Sequence, residues 1–180
     1  TDHGAFQAAV AGGVTTTLDF ESSVNPFDDF TLAYEDDDGS STGAIDSTYD
    51  TTSGDNYLSL GGGAGFLAGG DFTLTFNQTW QAIGLYLVSS VKLLDFDAVL
   101  TAGANSVSNA GSPASTLADG GFVYFLGLTD TNGFTSASLV TYLDATNGQG
   151  VFEFGIDDIQ LVSMAQAPAP VPEPTSLALM

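Results

Sequence analysis

DFTLTFNQTWQAIGLYLV, residues 71–88, carries the reading that decides the fold class. In its first half Leu74 and Phe76 alternate with threonines. Successive side chains of a strand point to opposite faces, so this is the pattern of a strand with one dry and one wet face. The second half, GLYLV, is almost continuously apolar, as in a central strand with both faces partly covered. The stretch reads as two strands, 71–78 and 81–88. Outward from it, β-branched and aromatic runs recur at 15–22, 30–35, 56–60, 96–102, 121–128, 137–143 and 151–162, each bounded by Gly, Asn, Asp or Ser. About nine strands with no long helical pattern between them predict an all-β protein: an antiparallel β-sandwich, jelly-roll-like, rather than a parallel α/β sheet.

The remaining segments punctuate this core. Residues 1–13, TDHGAFQAAVAGG, predict a short N-terminal helix with Asp2 as N-cap and a glycine pair closing it. Segment 36–56 is acidic, polar and glycine-bearing, and reads as a solvated or cation-ordered loop. GGGAGFLAGG (61–70) lacks the Gly-Lys-Ser/Thr of a phosphate-binding loop and reads as a flexible connector. Asn132-Gly133 and Asn147-Gly148 read as hairpin turns. Four of the six prolines crowd the last residues, where polyproline II geometry makes a semi-rigid spacer. The expected organisation is therefore a sandwich domain over 1–163 and a Pro/Ala-rich tail over 164–180. The closing Ser-Leu-Ala-Leu-Met is far shorter than the roughly 20 apolar residues a membrane-spanning helix needs, so the chain as written is not expected to cross a bilayer.

Charge narrows the function. Against 22 Asp and Glu stand Lys92 alone, no Arg, and His3, for a net charge of −21 across 180 residues. Such a surface repels phosphate backbones and anionic headgroups, which excludes nucleic acid as a partner. The absence of cysteine removes disulfides, thiol catalysis and thiolate zinc sites. With no guanidinium and a single imidazole near the N-terminus, the usual means of acid–base and oxyanion chemistry are missing, and no enzyme is expected. A paired-carboxylate glycosidase is the enzymatic alternative, but no pair stands out as poised: Glu153, flanked by core phenylalanines, most simply points to solvent.

Val-Pro-Glu-Pro-Thr-Ser-Leu-Ala-Leu-Met at the C-terminus, with Pro172, Glu173 and Pro174 as its core, resembles the PEP-CTERM sorting signal of bacterial secreted proteins. The resemblance implies export to the extracellular space or cell surface and processing by an exosortase-type enzyme. TTLDFES, SGDNYLSLGG, TLTFNQTWQAIGLYL and FGIDDIQLV are similar to the β-sandwich domains that often precede such signals and to calcium-binding jelly-roll modules of extracellular glycan-binding proteins. That resemblance implies a Ca²⁺ held by Glu21, Asp157 and Asp158, with Asp19 a further ligand.

Physical chemistry is compatible with that transfer. Alternation puts Leu18 and Phe20 on one face of the first strand and Asp19 and Glu21 on the other. If the first and last strands are neighbours, Asp157 or Asp158 meets Glu21. Two carboxylates ~4 Å apart repel by ~4 kcal/mol at an effective dielectric of ~20, a penalty that a hard divalent ion turns into binding. The alternative is that Asp157-Asp158 forms a bulge with solvated carboxylates. Asp36, Asp38 and Ser40 alternate in a second acidic stretch that reads as a calcium loop or as a solvated turn; its glycine comes too early for an EF-hand.

Two functions follow as expectations. The first is a secreted structural protein, a calcium-stabilised building block of a bacterial matrix, sheath or filament. It would be a homo-oligomer or homopolymer, grown by a repeated head-to-tail contact, with Leu177, Leu179 and Met180 of the tail inserting into a neighbour. The second is a surface-displayed lectin-like module that holds polysaccharide through calcium or through an aromatic platform. For the platform Trp80 is the candidate contact, with Tyr86, Tyr124 and Tyr142 beside it, although core packing of Trp80 is the competing reading.

Overall fold

The computed structural model describes residues 2–21, 30–36, 39–142 and 152–164. One helix, α1 (His3–Ala9), precedes twelve strands among these residues: β1 (Val14–Leu18), β2 (Phe30–Asp36), β3 (Gly39–Ser41), β4 (Ala44–Asp46), β5 (Tyr57–Ser59), β6 (Phe66–Leu67), β7 (Asp71–Ser89), β8 (Ala98–Ala102), β9 (Asn105–Ser108), β10 (Ser115–Thr116), β11 (Phe122–Thr141) and β12 (Glu153–Ser163). The protein is all-β and antiparallel, a sandwich made by one hydrogen-bonded sheet that folds over itself.

The fold-over is the work of β7 and β11. Each was expected as two strands, 71–78 with 81–88 and 121–128 with 137–143; each is one long strand that passes through both layers. Along β7 the core-facing residues are Phe72, Leu74 and Phe76, then Ile83, Leu85 and Leu87, so the inward parity switches between the two halves. Along β11 it switches likewise, from Tyr124, Leu126 and Leu128 to Ala137 and Leu139. The two strands lose register together where Thr129 pairs with Ala82 and Phe134 with Trp80. Extra residues on one strand bend a pair and increase its twist. Asn132-Gly133 lies in this irregularity and not in a hairpin turn; Gly133 does take the positive φ expected there, at 76°. Asn147-Gly148 lies outside the described residues.

One layer runs β3, β2, the first half of β7, the second half of β11, β8 and β9. The other runs β10, the first half of β11, the second half of β7 and β12. The far edge of β12 is shared by β6, β5 and β1, and β4 adds to β5. Phenylalanines fill the space between: Phe66 of the second layer lies 5.1 Å from Phe72 and 5.0 Å from Tyr34 of the first, measured between ring centres. Such tilted and edge-on ring pairs add to the area they bury.

α1 is shorter than residues 1–13. Asp2 caps it as expected, its Oδ1 accepting from the Gly4 N–H at 2.9 Å, but the helix stops at Ala9 with Val10 as C-cap. It lies on the outer face of the second layer, where Phe6 and Val10 pack with Ala82, Phe125 and Val162. Two glycines directly opposite each other, Gly84 and Gly127, open the floor for Phe6. His3 is held here too: its ring meets Tyr86 and Phe125.

Two presumed loops are also structured. In 61–70, β6 pairs with β12 and Phe66 is buried completely, so the connector is a packed one. In 36–56, β3 and β4 form, and Asp36 pairs with Gly39 and Ser40 with Glu35 across a hairpin. Ser40 is exposed on that hairpin, and Asp38 lies outside the described residues. Pro172, Glu173, Pro174, Leu177, Leu179 and Met180 are likewise outside them.

Candidate functional site

The first and last strands are neighbours: Val14–Leu18 pairs with Ile159–Ser163 through five positions. Beyond Leu18 the strand ends, and Phe20 turns at a φ of 61°. The expected alternation persists, with Leu18 and Phe20 buried and Asp19 and Glu21 exposed. Asp19 is occupied locally, its Oδ1 accepting from the Glu21 N–H at 3.1 Å.

On β12 the partner register slips between Asp157 and Gln160, and Asp158 takes a φ of 46°. This is the bulge that the Asp-Asp pair suggested, but its carboxylates are bonded to a loop and not left to solvent. It lets Ile156 and Ile159 both enter the core and turns the two carboxylates away from it. Asp157 is completely buried. Its carboxylate accepts from the Thr52 N–H at 2.8 Å, from the Thr52 hydroxyl and from the Ser53 N–H at 3.3 Å. Asp158 faces the Thr52 hydroxyl at 2.9 Å and accepts from the Ser53 hydroxyl at 2.8 Å. Burial, and then the neighbouring charge of Asp158, push the Asp157 carboxyl up to about 6 against the Thr52 and backbone donors.

Glu21 holds the other end of the same loop. Its Oε1 accepts from the Asp55 and Asn56 N–H groups at 3.0 and 2.6 Å, and Oε2 from the Asn56 amide at 3.0 Å. Burial works against the charge, but these donors outweigh it and hold Glu21 below the usual carboxylate value. The carboxyl crosses directly over Gly54, where a Cβ would fall 2.2 Å from Glu21 Cδ and where φ is +55°. The positive φ favours glycine there, and a side chain would also have to push the Glu21 carboxyl aside. The three expected ligands therefore converge on one hexapeptide, Thr51–Asn56, and grip it from two ends. Among the described residues no three acidic or imidazole side chains close on a single metal-sized point.

Comparison of the chain with protein-family models, with curated proteins and with solved structures finds no match. The site must be read from its own chemistry.

Trp80 is corrected: it is 5% exposed and packs in the core, so it offers no platform to a glycan. Tyr124 is buried as well, its hydroxyl accepting from the Leu93 N–H at 2.7 Å. Tyr142 is exposed, and so is Tyr49, which the sequence reading passed over.

Tyr49 stands beside a cavity of 370 Å³ walled by Tyr57 and Phe154, with Asp50, Asp119 and Glu153 supplying its carboxylates. Two of those acids lock the cavity walls together. The Asp50 N–H donates to Asp119 at 3.3 Å and the Asp119 N–H returns the bond to Asp50 at 3.0 Å. A third acid, buried Asp46, anchors the loop from behind. Its Oδ1 accepts from Ser47 N–H, Thr48 N–H and Thr48 hydroxyl at 2.7, 2.9 and 2.6 Å, and its Oδ2 from Gly63 N–H at 2.6 Å. Burial opposes its charge, and the Thr48 hydroxyl leads the donors that nevertheless hold it low. Asp-Ser-Thr at 46–48 was the available signal for this turn, since an Asp side chain that bonds the backbone two residues on makes such a turn locally.

Proposed function

We propose that this chain is a secreted, calcium-stabilised β-sandwich that serves as a building block of an extracellular matrix, sheath or filament. The observation that carries the reading is the corner made by Asp157 and Asp158. A completely buried carboxylate lies beside a second one, and the only basic side chains in 180 residues are Lys92, which is exposed, and His3. Buried charges are costly unless paired or bound to a metal. Here the visible compensation is a set of neutral donors from Thr52 and Ser53.

The donor set suits calcium, a hard ion that takes six to eight oxygens in flexible geometry. Asp157 and Asp158 would hold it, with the hydroxyls of Thr52 and Ser53 turned from donors into ligands, while Glu21 keeps the loop closed from its far end. The ion would supply the positive charge this corner lacks. A surface at −21 also opposes contact between copies unless divalent cations screen it, which gives calcium a second role in assembly. The Pro-Glu-Pro tail supports a place outside the cytoplasm and processing of an exosortase type.

The test is a calcium titration of the purified chain against a chelator, followed by melting and by light scattering. At about a hundredfold excess over Kd, calcium adds ~2.7 kcal/mol and, for a domain of this size, raises Tm by roughly 5–10 °C. Particle size grows in the same range. Asp157→Asn with Asp158→Asn removes the rise in melting temperature, while the growth in particle size, which follows from screening of the remaining charge, persists. Melting and size that do not respond to calcium would overturn the proposal.

A further inference from the structure

The cavity beside Tyr49 holds a polar group with an unmet need. Tyr57 is 5% exposed, and its hydroxyl is buried without a hydrogen-bond partner. The Tyr49 amide leans toward the oxygen, but outside hydrogen-bond geometry, and the hydroxyl proton has no acceptor. An unsatisfied buried donor costs about 1–3 kcal/mol and calls for an explanation. Tyr57 lines the cavity with its hydroxyl closed off from solvent, so a bound molecule can supply the missing partner once a small shift of the wall opens the hydroxyl.

We infer that this cavity binds a single neutral sugar ring, with the Tyr57 hydroxyl donating to a ring or hydroxyl oxygen and Asp50, Asp119 and Glu153 accepting from sugar hydroxyls. Each part of the ligand's chemistry follows from the walls. No Lys, Arg or His lines the cavity, while three acids do, so an anion is repelled. Carboxylates accept strongly from hydroxyls, since bonds to an ionised acceptor are about twice as strong as neutral ones. The exposed ring of Tyr49 suits the C–H face of a pyranose. An ammonium ion would also find carboxylates and aromatic rings here, but it has no acceptor for the stranded Tyr57 proton. The volume of 370 Å³ lies at the small end of the usual ~300–1,000 Å³ for ligand pockets, which suits one ring better than a chain.

The site is also built in advance. Asp50 and Asp119 bond each other's backbone across the cavity mouth, the Gly121 N–H donates to Asp119 at 2.8 Å, and Asp46 fixes the turn that leads to Tyr49. Preorganised walls reduce the ordering cost of binding. The inference does not depend on calcium at Asp157 and Asp158.

The test titrates the full chain with neutral methyl pyranosides, in calcium and separately in chelator, by calorimetry and saturation-transfer NMR. Glucuronate and tetramethylammonium serve as the anionic and cationic comparisons. A neutral pyranoside is expected to bind in either medium, with neither comparison binding as well. Tyr57→Phe should weaken that binding about five- to tenfold while leaving the melting temperature unchanged or raised, because it deletes only an unsatisfied hydroxyl. Tyr49→Ala should bring the binding below detection. The inference fails if no neutral pyranoside saturates the protein, if Tyr57→Phe binds as well as the wild type, or if glucuronate or tetramethylammonium binds in preference. A calcium-insensitive protein that still binds a pyranoside would uphold it while overturning the calcium proposal.

Discussion

Asp46 illustrates how a single carboxylate can hold a functional loop. Both of its oxygens are committed as acceptors, Oδ1 to Ser47 and Thr48 and Oδ2 to Gly63. Asn at this position has the same shape but turns an N–H₂ group toward one of these donor sets. Asp46→Asn is therefore expected to lose about 1–3 kcal/mol, read by denaturant unfolding at neutral pH, and to raise hydrogen exchange at Ser47, Thr48 and Gly63. A variant as stable as the wild type would mean the loop stands without this anchor. At this scale the sequence was informative where a residue's chemistry is local. Asp2 as helix cap, the Asp157-Asp158 bulge and the outward Glu153 follow from nearest neighbours along the chain. Tyr57 and Asp119 could not be read in the same way, because what matters for them is a neighbour far off in sequence: Glu153 beside one, Asp50 beside the other.

Elements were legible by period and hard to read by length. Residues 71–88 and 121–143 alternate with two different inward parities, and a change of parity is also what a turn between two strands would produce. Only the continued pairing of β7 with β11 on both sides of the irregularity distinguishes a bent strand from a hairpin. Phe66 was hidden for another reason: a two-residue strand between glycines has too short a pattern to detect, and it exists because β12 offers it an edge. Seven residues are too few for a helix to persist alone, so α1 depends on its docking over Gly84 and Gly127. A Cβ at Gly127 would come within 2.7 Å of both Phe6 Cδ2 and Phe125 Cε1. Gly127→Ala should thus displace Phe6 at a cost of about 1–3 kcal/mol, with faster exchange over residues 3–9 and unchanged protection in the first-layer half of β11. Phe6→Ala should give the same local signature without touching the sheet. Retained protection of α1 in both variants would show that Phe6 does not hold it.

For the whole molecule, acid stability depends on carboxylates that work in opposite directions. Glu21, Asp46 and Asp130 are held below their ordinary values, Asp130 chiefly by the N–H groups of Ala104 and Asn132. A lowered carboxyl contributes stability that is present above its unfolded value, 3.8 for Asp, and is lost as pH falls through the folded one. Asp157, raised to about 6, acts in the other direction: it favours the folded state more as pH falls through 6 toward 3.8. Relief of the −21 charge acts in that direction too. A bare pH profile would mix these contributions, but the difference between wild type and Asp46→Asn isolates one of them, because Asp157 and the net charge are common to both. That difference, about 1–3 kcal/mol at pH 7, is expected to stay level down to about pH 5 and to shrink steadily below about pH 4 as the wild-type Asp46 is protonated. Denaturant unfolding in chelator at a series of pH values from neutral to about pH 2.5 measures it. A gap that stays constant into acid would mean that Asp46 stabilises its loop by shape alone, and that its charge contributes nothing to the fold.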